Sequence, residues 1–114
     1  MTNPNNDTST DNPDILDLLP RLQDDDAGVR RIALIELADL EEPQALPWLT
    51  QALTLDSSAD VRAEAARLLE AWEEPEVVDA LCAALTDADA RVRGAAAQSL
   101  SELKSAEAGR VVLP

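Results

Sequence analysis

The residues of this chain able to do chemistry are few: one cysteine, arginines that recur after a valine, and carboxylates in pairs and triplets. Cys82 stands in "DALCAALT" between Leu81 and Leu85, where a small apolar residue fits, and nothing basic lies nearby in sequence to activate a thiolate. It reads as a packed or partly exposed residue. The pairs Glu41-Glu42 and Glu73-Glu74 and the run Asp24 to Asp26 lack the alternating oxygen ligands and the glycine of a calcium loop, so they read as solvated helix ends. With no His and no Tyr, neither a zinc site nor a nucleophile–histidine pair can be assembled, and Gly28, Gly94 and Gly109 stand alone, outside any phosphate-cradling loop. The expectation is a chain that is not an enzyme and has no cofactor or metal. Acidic residues outnumber basic ones 23 to 9, a balance that repels phosphate backbones and anionic lipid headgroups alike. Nucleic acid and membrane are therefore not expected as partners.

The elements that must position these groups are helices. Ala and Leu together make up a third of the 114 residues, Phe and Tyr are absent and Gly is rare, which leaves mostly helix formers. Residues 1–12 are polar and read as a disordered tail, with a repeat domain over 13–114. A single cysteine closes no disulfide, no secretory signal opens the sequence, and no apolar run reaches the length of a spanning helix, so a cytoplasmic location is expected.

The valine–arginine pair is the register mark of a repeat. Val29-Arg30, Val61-Arg62 and Val92-Arg93 are spaced by 32 and 31 residues. Four residues after each valine stand Ala33, Ala65 and Ala96; eight after, Leu37, Leu69 and Leu100; eleven after, Leu40, Trp72 and Leu103. These offsets trace one helix face with a small residue where a neighbouring helix must come close. Three residues before each valine, Asp26, Ser58 and Asp89 can cap that helix. A first helix precedes each: Ile15, Leu18 and Leu22, then Leu46, Leu49 and Leu53, then Val78, Leu81 and Leu85 form its apolar stripe. "EEPQ" and "EEPE" put Pro43 and Pro75 in a first turn, whereas Pro20 should kink or shorten the opening helix. Approximate units are 13–41, 42–73 and 74–104, with an incomplete fourth over 105–114.

This frame resembles the short HEAT repeat, in particular the phycobilisome-lyase-type HEAT-like variant, across nearly all of the chain from residue 13. The resemblance implies an all-α fold, a right-handed α-α superhelix of about three helix pairs plus an incomplete fourth, with second helices lining a concave face. It also implies an Asp–Arg ladder between units, carried here by Asp24, Asp56 and Asp87 with Arg30, Arg62 and Arg93. An anion site is the alternative role of those arginines. A tetratricopeptide reading fails on period and on its missing aromatic positions.

Repeat surfaces serve partners, so departures from the repeat are the candidate binding residues. Three and six residues after valine, later units carry Glu64 and Arg67, then Ala95 and Gln98, whereas the first carries Ile32 and Ile35. These two isoleucines are the candidate hot spot on the concave face. Trp48 sits where Asp17 and Ala80 stand in the other units and is either a packed ridge or an exposed anchor. The unfinished end, with Val111, Val112 and Leu113, suits docking on another protein, a homo-oligomer or a longer solenoid. A protein–protein interaction module or assembly scaffold is the expected function. A subunit or relative of a phycobilin lyase-type chromophore-attachment factor is the alternative implied by the resemblance. A HEAT-like DNA glycosylase is contradicted by the charge.

Overall fold

The computed structural model describes the backbone of residues 12–112 and the side chains of residues 12–103. Helix α1 spans Pro13–Leu22, α2 Ala27–Asp39, α3 Leu46–Leu55, α4 Ala59–Leu68, α5 Pro75–Ala84 and α6 Ala90–Val112. Short 3-10 turns at Pro43–Ala45 and Leu69–Ala71 tighten the entry to α3 and the exit from α4. No strand occurs among the described residues.

The helices pair as α1 with α2, α3 with α4 and α5 with α6, and the pairs stack into an all-α solenoid. Second helices pack against one another along the row α2, α4, α6 more closely than first helices do along α1, α3, α5. The row of second helices is therefore the inner wall of the stack. Helix starts follow the capping residues in two units of three. Asp26 Oδ1 accepts from the N–H groups of Gly28 at 2.7 Å and Val29 at 3.3 Å, and Asp89 Oδ1 accepts from Arg91 N–H at 2.8 Å. Ser58 occupies the same N-cap position but makes no side-chain capping bond, contrary to expectation. Its own N–H is held by Asp56, a contact that the other two units make as well.

The core is the predicted stripe. Ile15, Leu18, Leu37, Leu49, Leu53, Leu69, Leu81, Val61, Val92, Ala65 and Ala96 are buried in one continuous cluster, and Ala33 is buried as well. Each buried Leu or Ile side chain contributes roughly 1.5–3 kcal/mol relative to exposure. The alanines let facing backbones approach, and Ser99 uses that closeness: its hydroxyl donates to the Ala66 carbonyl at 2.6 Å, tying α6 to α4.

Several expectations need correction. Pro20 does not shorten α1: the helix runs through it to Leu22 and has the same ten residues as α3 and α5. No break separates a third unit from a fourth: α6 continues to Val112, because Glu107 and the alanines at 106 and 108 sustain helix where Gly109 alone opposes it. In α5 the buried face is Val77, Leu81 and Ala84, while Val78 and Leu85 of the expected stripe are exposed. Cys82 is exposed as well, one step around the helix from Leu81. Residues 1–11 of the expected tail lie outside the described residues. Asn12, its last member, is the N-cap of α1 and accepts from Asp14 N–H at 2.8 Å.

Candidate functional site

The ladder residues build each turn and then join it to its neighbour. In every unit the aspartate five before valine folds its carboxylate onto the N–H two residues on: Asp24 to Asp26 at 2.8 Å, Asp56 to Ser58 at 2.9 Å, Asp87 to Asp89 at 2.9 Å. The arginine after valine returns Nη1 to the carbonyl of that same aspartate, Arg30 to Asp24 at 2.8 Å, Arg62 to Asp56 at 2.8 Å and Arg93 to Asp87 at 2.7 Å. The other edge of the guanidinium reaches forward one unit. Arg30 Nε and Nη2 donate to Asp56 at 3.0 and 2.9 Å, and Arg62 Nε and Nη2 donate to Asp87 at 2.9 and 3.1 Å.

These are two-pronged, charge-assisted joints, and both partners are largely shielded from water. Hydrogen bonding from Arg62 holds the Asp87 carboxyl below the usual carboxylate range, and Asp87 in turn raises Arg62. Asp56 likewise raises Arg30. Arg30 engages all five of its N–H groups and Arg62 three of five, so the joints already take most of the donors that an anion site at these arginines would use.

Around the joints lie charges that the repeat alignment did not single out. Glu64 is buried between Arg31 of α2, at 2.9 Å, and Arg67 of its own helix, at 3.2 Å. Arg91 bridges from α6 to Asp60 on α4 and to Asp89 beside it. Hydrogen bonds from the Arg91 side chain and backbone pull Asp89 down to about 2. The signal was present as opposite charges about 31 to 33 residues apart, at the separation that places two residues side by side on stacked second helices.

Column by column, the wall has two kinds of surface. The positions three and seven after valine meet the preceding unit: Glu64 bonds Arg31 of α2 and Ser99 bonds the Ala66 carbonyl of α4, and Glu64, Ala95 and Ser99 are buried while Leu68, seven after Val61, is half-buried. Ile32 belongs to that column, yet it is 50% exposed where Glu64 and Ala95 are each 9% exposed. Six after valine, Ile35 is half-buried while Arg67 and Gln98 face solvent, so this column forms the open surface of the wall. The structure thus brings Ile32 and Ile35 together at the first-unit end of the wall. Trp48 is partly buried against the core, and its indole Nε1 is buried with no hydrogen-bond partner among the described residues. It edges a cleft of about 220 Å³ with Leu22, Leu34 and Leu55. The side chain of Val111 and all of Leu113 lie outside the described residues.

Among the described residues no cluster of three or more His, Cys, Asp or Glu is placed to hold a metal, and no helix is long and apolar enough to cross a membrane.

Two families match the sequence: HEAT repeats over residues 47–113 and the PBS lyase HEAT-like repeat over residues 29–54. No curated protein matches it. Among solved structures, human deoxyhypusine hydroxylase is similar, with a TM-score of 0.69 and 28% identity over 79% of this chain and 32% of that one. The chain thus spans about a third of the length of that enzyme. This likeness overturns the expectation of a non-enzyme: the same kind of repeat, at that identity, is the frame of a catalyst. The expectation rested on which side chains this chain contains, and a helical frame does not by itself decide between binding and catalysis. More than half of the sequence matches HEAT repeats and the joints recur at their spacing: the chain is a HEAT-repeat protein of the PBS lyase HEAT-like type.

Proposed function

We propose that the chain is a protein-binding repeat scaffold whose recognition surface is the first-unit end of its inner wall, centred on Ile32 and Ile35. The observation that carries this reading is the half-exposed Ile32 in a column that is buried in both later units. An isoleucine left open in a column whose other members are buried is a desolvation target, and an exposed apolar patch at a solenoid end suits a partner. The net charge of −14 favours a partner whose rim is basic, through faster encounter and rejection of acidic competitors. The test is a tagged pull-down from native lysate at physiological salt, comparing wild type with an Ile32→Asp, Ile35→Asp variant of unchanged helical circular dichroism. The expected result is a specific protein retained by the wild type and lost by the variant. Retention of the same set by both contradicts the reading.

One observation favours a second reading, in which the repeats contribute to catalysis: 28% identity with deoxyhypusine hydroxylase across most of this chain. Incubation in air with a deoxyhypusine-bearing protein and a two-electron reductant, followed by intact-mass measurement, tests it, dioxygen giving one atom to the product and, with two electrons and two protons, the other to water. Gain of one oxygen supports the reading and an unchanged mass contradicts it.

A further inference from the structure

We propose that the Ile32 surface is covered by the opposite end of a second copy of this chain, so that copies associate head to tail. The inference rests on the reading of Ile32 as a recognition residue and names its partner. It follows from two half-joints. Arg30 and Arg62 each spend Nε and Nη2 on the aspartate of the next unit, but Arg93, exposed, donates only Nη1, to its own turn, among the described residues. At the other end, Asp56 and Asp87 each accept an arginine fork on both oxygens, whereas the Asp24 carboxylate accepts only the Asp26 N–H. A free fork at one end and a free carboxylate at the other are the two parts of a joint the chain makes twice internally. Both are pre-shaped, since Asp24 and Arg93 hold the same turn contacts as their counterparts within the stack.

The apolar surfaces match in the same register. Positions two and five after valine face the following unit: Ala63 and Ala66 are buried beneath α6, while their equivalents Gly94 and Ala97 are exposed. Both are small, and nothing lies near the position of a Cβ at Gly94. In the joint between the first and second units the residue two after valine, Arg31, meets Glu64 of the column three after valine, and in a second copy the residue of that column is Ile32. On the outer layer, Leu46 and Leu53 of the second unit are 7% and 2% exposed, whereas the matching Val78 and Leu85 of the third are 37% and 40% exposed. At these four positions, Gly94, Ala97, Val78 and Leu85, the third unit is exposed where the second is covered, while Leu81, Val92 and Ala96 of its core stay buried. The chemistry required of the occupant is a carboxylate in an aspartate turn beside an apolar side chain three positions into a helix wall. The chain's own first unit has both.

Sedimentation velocity of the full chain over a concentration series tests this. The expected result is a weight-average mass that rises with concentration and falls with added salt, as the Asp24–Arg93 pair is screened. Arg93→Glu and Ile32→Asp each remain monomeric with unchanged circular dichroism, and Asp24→Asn, which keeps the turn and loses the charge, weakens association. An equimolar mixture of the Arg93→Glu and Ile32→Asp variants is the sharper readout. Each contributes one intact end, so the mixture forms species of two chains and nothing larger. A wild type that stays monomeric at every concentration, association that survives Arg93→Glu, or a mixture that stays monomeric overturns the inference. If the wild type is monomeric but loses a captured protein on Ile32→Asp, Ile35→Asp substitution, the recognition surface stands and only its self-pairing fails. If the isoleucine substitutions change neither readout, both readings fall.

Discussion

Two arginines with similar carboxylate bonds should differ widely in what they contribute, because their surroundings differ. Arg62 is shielded, makes three bonds and leaves Asp87 unpaired when removed, so Arg62→Ala should cost about 2–3 kcal/mol. Arg21 forms an equally two-pronged pair with Glu36, but both side chains are open to water, and Arg21→Ala should cost far less. Urea denaturation of the two variants checks the contrast, and equal losses contradict it. Acid sensitivity follows from the same contacts. Asp89 titrates at about 2 when folded because Arg91 bonds its carboxylate, and Asp87 and Glu36 are also lowered by their arginines. An unfolded aspartate titrates near about 3.9, so these groups contribute stability that is present above that pH and lost as pH falls toward 2. The urea midpoint should therefore drop between about pH 4 and pH 2, and drop less steeply in Arg91→Gln; parallel profiles contradict the assignment. The ladder was legible in the sequence because its residues keep fixed offsets from one valine. The burial of Glu64 was not, since it depends on Arg31 of another helix and no offset within one unit records that contact.

Helix boundaries follow local chemistry where caps and prolines mark them, and two residues work against the elements that hold them. Gly94 sits inside α6 with open space around the position of a Cβ, so Gly94→Ala should stabilise by about 0.8 kcal/mol through helix propensity alone. Ala63 occupies the same position inside an internal joint, so the substitution should leave head-to-tail association intact. Glu41, just past α2, has φ 54, in the left-handed region that costs a side chain about 1–2 kcal/mol. Glu41→Gly should therefore raise stability by about 0.5 kcal/mol after the added freedom of the unfolded chain is subtracted. A thermal melt reads both, and a fall in either midpoint contradicts the backbone argument. The six helices were readable from apolar periodicity. Two features were not: the exposure of Val78 and Leu85, which depends on whether another unit lies over them, and the uninterrupted α6, where helix formers outweigh the repeat period.

At the scale of the whole molecule the joint between units is the recurring device, and stability should accumulate joint by joint as in other linear repeats. The ends of the stack carry what the interior conceals: a free fork, a free carboxylate, an open isoleucine and exposed small residues. Sequence offsets locate all of them, but only the stacked structure separates a column that faces a neighbour from one that faces solvent, and so moves Ile32 from the open wall to its end. The likeness to a hydroxylase one third covered by this chain shows how the same frame can serve chemistry when carried further. The most direct test of the account is native-state hydrogen exchange on wild type and Arg62→Gln, which weakens the joint between the second and third units alone. Loss of protection concentrated in α5 and α6, with α1 and α2 unchanged, is the predicted result; an equal loss along the whole chain, or none, contradicts it.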